Sequence, residues 1–180
     1  MEWTEIGEIA AEPVSVAEAK AWCRIERSDE DGLIAGLIRA ARETVERETG
    51  LVLARREFRL ALTAVPRDRR VVSPVRPLAS VSAIRVRRLG GDWHSVPPGE
   101  AVAERFGGVE ALRFSEMVAI LGEGGVEIDL SAGFAPGKAP ETLRHAVMRI
   151  VAAGYESRAP GAAMPAAARD AIAAYREVRI

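Results

Sequence analysis

Hydrophobic positions repeat with two different periods along this chain. From Leu33 to Val45 an apolar residue recurs every three or four positions, which predicts an amphipathic helix. The apolar stripe comprises Leu33, Ile34, Leu37, Ile38, Ala41 and Val45, and the opposite face carries Arg39, Arg42, Glu43, Glu46 and Arg47. Gly50 follows at the place where a left-handed residue commonly ends a helix. The pattern therefore predicts one helix that ends at Gly50.

Three further helices are predicted from start signals and spacing. Ser15 and Glu18 have the spacing of a capping box, so a first helix should run from about Ser15 to Ile25. Pro140 suits the first turn of a helix whose apolar residues are Leu143, Val147, Ile150, Val151 and Tyr155. Pro165 can open a last helix with apolar positions Ala168, Ile172 and Tyr175. Helices are thus expected at about 15–50 and 140–178.

Between these helical parts the period changes from 3.6 to 2. Alternating apolar residues occur at Phe58 to Leu62, at Ile84 and Val86, and at Val126 to Leu130, and each run predicts a strand. The Gly90-Gly91-Asp92 sequence predicts a hairpin that returns at Trp93. Residues 113–121 fit either a strand or a short helix. The middle of the chain, about 55–133, is therefore expected to be rich in β-structure.

The order of elements predicts an α+β fold. Two N-terminal and two C-terminal helices would form a mainly helical bundle, with the β-rich segment inserted between them. A length of 180 residues, with 48% hydrophobic and 28% charged residues, is typical of one globular domain spanning 1–180. No apolar stretch is long enough to cross a bilayer, and Glu2, Glu5 and Glu8 replace the basic start of a signal peptide. No membrane association is expected.

Chemically reactive residues form no recognisable site. The two histidines, His94 and His145, do not have metal-ligand spacing, and the one cysteine, Cys23, is expected to be a small packing residue. No nucleophile elbow, phosphate-binding loop or dinucleotide fingerprint occurs. Glu127 and Asp129 are expected on the solvated face of a strand. We therefore predict no catalytic residue, no cofactor and no metal, and a protein that is not an enzyme.

Charge is unevenly distributed along the chain. Residues 1–50 contain 6 basic and 12 acidic side chains, whereas residues 51–90 contain 10 basic and 2 acidic ones. The arginines of this second stretch have three interpretations: a solvated strand face, a nucleic-acid surface, or a surface that meets the acidic helices of a neighbouring copy. The nucleic-acid interpretation lacks interleaved aromatic residues for base stacking. The ten arginines are Arg55, Arg56, Arg59, Arg67, Arg69, Arg70, Arg76, Arg85, Arg87 and Arg88.

Several phrases, taken together and in order, resemble the head-tail connector (adaptor) family of long-tailed double-stranded-DNA phages, prophages and gene transfer agents. The most specific runs from Glu12 to Lys20 and continues through residues 24–50. Others are residues 76–81, 128–134, 140–147, 155–158 and 175–179. The resemblance spans nearly the whole chain, except residues 91–125.

The resemblance implies a structural, non-enzymatic adaptor that forms a dodecameric ring. Implied partners are the portal protein, a tail-side stopper or connector protein, other copies of the chain, and double-stranded DNA in the lumen. The chain would be present in the cytoplasm during assembly and then at the head-tail junction of the virion or phage-like particle. A DNA-binding packaging or regulatory protein is the alternative.

Two sets of contact residues are predicted. The resemblance implies that the C-terminal segment docks on the portal, through Tyr175, Arg176, Val178, Arg179 and Ile180. The competing interpretation is that Ile172, Tyr175 and Val178 pack the last helix against the core. Arg85, Arg87 and Arg88 are the candidates for contact between subunits or with the lumen.

Overall fold

A computed structural model describes residues 1–157 and 164–176, and its chain forms two compact units. The β unit consists of Met1–Ile9 and Arg55–Gly133, and the helical unit of Ala10–Ala54 and Phe134–Ile180. Helices and sheets are both present, so the predicted α+β class is confirmed. Whether both units act as one domain stays a prediction.

The described residues contain five α-helices, one short 3-10 helix (Pro98–Glu100) and eight strands. The helices are α1 (Val16–Cys23), α2 (Asp31–Thr49), α3 (Glu116–Leu121), α4 (Glu141–Ser157) and α5 (Ala166–Ala173). The strands are β1 (Glu2–Glu5), β2 (Arg56–Leu62), β3 (Arg70–Val72), β4 (Leu78–Arg87), β5 (Trp93–Val96), β6 (Ala101–Phe106), β7 (Val109–Phe114) and β8 (Gly125–Ala132). No helix in this described part is long and apolar enough to span a bilayer.

Local sequence signals determine where the first two helices begin and end. Ser15 caps α1, because its hydroxyl accepts from the Glu18 amide at 3.2 Å while the Glu18 carboxylate accepts from the Ser15 amide at 2.8 Å. Gly50 ends α2 with a φ of 68°, and its amide donates to the Glu46 carbonyl at 2.8 Å. Both predicted end signals are confirmed.

The helical unit is built around the apolar faces of α2 and α4. Ile34, Ile38, Ala41 and Val45 of α2 are buried in one cluster with residues of α4 and α5. The α4 and α5 members are Leu143, Ala146, Val147, Met148, Val151, Ala168 and Ile172. The predicted stripe is wrong at one end, since Leu33 is 47% exposed. Leu33 lies on the flank of the stripe, about 100° around the helix from the fully buried Ile34.

Arg42 also departs from its predicted place on the solvent face of α2. Its side chain is only 5% exposed. The Nε atom donates to the Glu12 carboxylate at 2.8 Å, and Nη1 donates to the Glu46 carboxylate at 3.0 Å. Glu46 in turn accepts from the Leu53 amide at 2.7 Å. Arg42 is buried because carboxylates from two separate segments satisfy its guanidinium.

The β unit contains a five-stranded and a three-stranded antiparallel sheet. The strand orders are β1-β2-β8-β4-β5 and β3-β7-β6. In the large sheet Leu60 pairs with Ile128, which pairs with Ile84, and all three side chains are buried. The predicted alternation is thereby confirmed, with these residues on the inner face. Strand β1 was not predicted from the sequence.

The structure defines the hairpin after β4 and the elements in residues 113–121. Strand β4 turns through Gly90, which has a φ of 69°, so that Arg87 pairs with Trp93 on β5 as predicted. Residues 113–121 contain both of the predicted alternatives. Strand β7 ends at Phe114, and Ser115 then caps α3 by accepting from the Val118 amide at 3.3 Å.

Candidate assembly surfaces

The outer face of the large sheet carries a chain of cross-strand ion pairs. Arg59 on β2 binds Asp129 on β8 through two hydrogen bonds of 2.6 and 2.9 Å. Arg85 on β4 contacts Glu127 at 2.9 Å and Asp129 at 3.4 Å. The register places these residues opposite one another on the same face. Glu127 and Asp129 thus lie on the outer face as expected, and each has arginine partners.

These ion pairs affect the basic cluster predicted from the sequence. Arg59, Arg70 and Arg85 are each paired with carboxylates of the β unit itself. Their charge is therefore largely balanced within the sheet. This leaves less positive charge for a nucleic-acid backbone or for a neighbouring copy than the residue count suggests.

The Asp129 carboxylate provides a test of the cross-strand ion pairs on the outer face of the large sheet. The hydrogen bonds from Arg59 are the main cause that lowers the pKa of Asp129, and the charge of Arg85 contributes. A depressed carboxylate pKa stabilises the fold above the unfolded pKa, which is about 3.9 for Asp, and this contribution disappears as the pH falls through the lower, folded value. Asp129→Asn should therefore reduce the free energy of unfolding by about 1 kcal/mol at pH 7.

Urea unfolding of the wild type and of Asp129→Asn between pH 7 and pH 2 measures this effect. The gap between the two proteins should be full at pH 7 and narrow below about pH 4, because Asp129 of the unfolded chain then binds a proton at a higher pH than Asp129 of the folded protein. Glu123→Gln is the matched control, since Glu123 is exposed and has no ion pair within residues 1–157 or 164–176. A gap that does not change with pH would contradict the assignment.

The end of the β4–β5 hairpin is the most exposed basic part of the large sheet. Arg87 donates to the Gly124 carbonyl at 3.2 and 3.0 Å and lies over the Trp93 ring, 4.9 Å from its centroid. Arg88 is exposed and has no side-chain partner in the part of the chain that the structure describes. The neighbouring Leu89 is 77% exposed. Of the three predicted contact arginines, Arg88 is therefore the one whose guanidinium forms no ion pair, hydrogen bond or ring contact within the described residues.

The structure describes only part of the predicted portal-binding segment. Tyr175 packs against the helical core beside the buried Ile172. Arg176 forms an ion pair with Glu48 of α2. Val178, Arg179 and Ile180 lie outside the described residues. Tyr175 and Arg176 thus have contacts within the helical unit, as the packing interpretation requires, and their role in docking stays a prediction.

Arg144 connects two of the sequence segments that resemble the head-tail connector family. This connection was not predicted from the sequence. Its Nε atom donates to the Pro13 carbonyl at 3.0 Å, and its guanidinium forms ion pairs with Glu18 and Glu141. The segments 12–20 and 140–147 therefore meet at one side chain. A capping box predicts only contacts within its own helix, so no sequence signal pointed to this long-range pair.

Residues with catalytic potential are scattered. Within residues 1–157 and 164–176, no three His, Cys, Asp or Glu side chains form a group that could hold a metal. His145 is exposed on α4, with its ring 5.5 Å from that of Trp22. Burial raises the pKa of the Cys23 thiol, which disfavours the reactive thiolate.

Comparisons with known proteins agree with one another. The family model described as "Phage gp6-like head-tail connector protein" matches residues 13–81. A chain from the neck of an empty gene transfer agent (GTA) particle, computed with C6 symmetry, is 29% identical with a TM-score of 0.82. A chain from the virion of a native GTA particle has the same identity and TM-score. No significant match to a curated protein sequence was found.

A third structure is similar over the same length. It is a chain from the neck of a native GTA particle computed with C12 symmetry, with 31% identity and a TM-score of 0.75. In all three comparisons the alignment covers 100% of this chain and 97% of the other. Sequence identity at this level over the full length, together with the matched family model, shows that the protein belongs to the family of gp6-like head-tail connector proteins.

Proposed function

We propose that twelve copies of this chain form a closed ring that joins the portal to the tail of a phage-like particle or gene transfer agent. The observation that carries the proposal is the full-length similarity to a chain in a GTA neck with C12 symmetry. A structural adaptor role in a phage-like particle follows from membership in the family. The ring would lie between the portal and a tail-side stopper or connector, and double-stranded DNA would leave through its lumen.

The adaptor would act by position and not by catalysis. Copies made in the cytoplasm would dock beneath the portal after genome packaging, and they would remain at the head-tail junction of the finished particle. Each copy needs one surface for the portal, one for the tail-side partner and two different surfaces for its neighbours, because a cyclic ring is built from heterologous contacts.

Locating the chain in purified particles tests the proposal. An affinity tag on the chain should recover whole particles, and cryo-EM of these particles should reveal the chain as a ring directly below the portal. Recovery of free chain alone, with particles that lack it, would contradict the adaptor role. A different rotational symmetry at that level would contradict only the proposed number of copies.

A charge reversal at Arg88 tests the proposed electrostatic contact between copies. The basic middle segment would face the acidic helices of the neighbour, as the charges of residues 51–90 and 1–50 suggest. Arg88→Glu should keep the fold and weaken each contact by about 1 kcal/mol, a factor of about five. The measurement is the number of copies per particle, by quantitative mass spectrometry at two salt concentrations.

Arg85→Glu is the informative comparison for Arg88→Glu. Reversing Arg85 would place a third carboxylate beside Glu127 and Asp129, so we expect this variant to lose folding stability as well. The two variants therefore separate contact between copies from stability of the β unit. Normal occupancy of Arg88→Glu in particles at both salt concentrations would refute the electrostatic contact.

A further inference from the structure

The outer face of the three-stranded sheet exposes an unusual number of apolar side chains. Val72 on β3, Val102 on β6 and Phe106 on β6 are 52%, 47% and 48% exposed. The register places them on one face, because side chains at paired positions point to the same side. We call this surface the open face; it consists of Arg70, Val72, Val102, Glu104, Phe106, Val109 and Arg113, which surround the fully buried Ala111.

The opposite face of the same sheet contributes buried side chains to the core of the β unit. Val71, Leu112 and Phe114 are 4%, 1% and 0% exposed. An antiparallel sheet with one face in the core usually presents polar residues on its other face. The open face departs from this rule at three large apolar positions, and clustered exposed apolar side chains are typical of interaction surfaces.

The charged side chains of the open face are paired with one another, so that a protein partner could bury them. Glu104 binds the Nε atom of Arg70 at 2.7 Å and that of Arg113 at 2.9 Å. The guanidinium of Arg70 also lies 4.6 Å from the centroid of the Phe106 ring. Paired and hydrogen-bonded charges cost less to bury than isolated ones. Arginine and aromatic residues around an apolar centre are the composition that protein interfaces favour.

We infer that the open face is one of the two surfaces through which each copy contacts the next copy in the ring. This inference rests on the proposed ring. A closed ring requires two different surfaces on each copy, and the three large apolar side chains of the open face remain about half exposed in the described part of the chain. Its excess of one positive charge, with Arg67 and Arg69 on either side of Asp68 next to β3, complements the exposed acidic residues of segment 1–50 that have no ion pair among the described residues, namely Glu2, Glu8 and Glu26.

The size of the open face also favours a ring contact over a stable pair. Three strands about 4.8 Å apart and six residues of about 3.3 Å each cover on the order of 200–300 Å². A stable pairwise interface buries about 800 Å² on each partner. The open face can therefore be only the centre of a larger contact, one that neighbours on both sides and the portal reinforce.

Photo-crosslinking in assembled particles tests the inference. A benzophenone amino acid placed at Val102, and separately at Phe106, should give covalent dimers of this chain in purified particles. The same probe at Ile120, which is 56% exposed on α3 of the same unit, is the control and should give fewer such dimers. Crosslinks at both open-face positions to a different particle protein, or to none, would overturn the inference.

The outcomes also separate this inference from the proposed function. Particles that contain the chain but give no dimers from the open face would overturn the inference and leave the adaptor role standing. Particles without the chain would overturn both. Dimers that form equally well in dilute free protein would also contradict the inference, since the open face is too small to hold a pair by itself.

A charge variant provides an independent measurement. Val102→Asp should keep the fold, because the position is half exposed and lies directly opposite Arg113, which can pair with the new carboxylate. We expect at least about tenfold fewer copies per particle, while Ile120→Asp stays near the wild-type level. Thermal unfolding by circular dichroism confirms that both variants are folded. Wild-type occupancy of Val102→Asp, or an equal loss for Ile120→Asp, would overturn the inference.

Discussion

A chain that ends after Arg176 is expected to fold normally and to give heads without tails. The reason is that the contacts described for the last helix are all made by residues up to Arg176. Ile172 is buried, Tyr175 packs against the helical core and Arg176 pairs with Glu48. Residues 177–180, which include three of the five proposed portal-binding residues, lie outside the described residues. Their removal should therefore affect docking and not the fold.

The measurement is the fraction of tailed particles by electron microscopy, together with the melting temperature of the purified chain. Ile172→Val is the matched control, because Ile172 is buried, is not among the proposed portal-binding residues, and its substitution retains residues 177–180. We expect that control to lose roughly 0.5–1.5 kcal/mol of stability and to keep its tails. Normally tailed particles from the truncated chain would refute the portal-docking proposal.

Replacing Arg42 with alanine is expected to reduce the free energy of unfolding by about 3–5 kcal/mol. The guanidinium is 5% exposed and binds Glu12 and Glu46. Its removal would take from the Glu46 carboxylate, which is 11% exposed, the charged hydrogen bond that Arg42 donates at 3.0 Å. A buried carboxylate that loses a charged hydrogen bond keeps the desolvation cost that this bond offset. The helical unit should therefore lose most of the stability that this network provides.

Urea unfolding followed by circular dichroism measures the effect of Arg42→Ala. Arg39→Ala is the matched control, since Arg39 lies on the same helix, is exposed, and should change stability by less than about 0.5 kcal/mol. Arg42→Lys should give an intermediate loss, because lysine keeps the charge but not the forked geometry. Equal stability of Arg42→Ala and Arg39→Ala would mean that the buried network is not stabilising.

The helix ends and the strand faces could be predicted from the sequence because they depend on near neighbours. The Ser15 and Glu18 pair, Gly50, and the alternation from Phe58 to Leu62 each act over a few residues. Period and capping therefore indicated where these elements lie. The family resemblance added the adaptor role, which no local pattern contains.

Predictions failed where the outcome depended on distant segments. Strand β1 has too few apolar residues to be identified alone and forms by pairing with β2, more than fifty residues later. Arg42 was placed on a solvated face, because the sequence does not reveal that Glu12 approaches it. The role of Arg85 as a contact residue stays a prediction, but the sequence did not reveal that Arg85 forms ion pairs with Glu127 and Asp129 of β8.

The sequence by itself determined the α+β class, the main helices and strands, and the membership in a head-tail connector family. Only the tertiary structure decided which charges are paired and which apolar side chains remain exposed. The open face illustrates the difference: Val72, Val102 and Phe106 look like ordinary strand residues in the sequence. These side chains are exposed because the strand register places Leu112 and Phe114 on the buried face of the sheet. That register is set by contacts between remote parts of the chain.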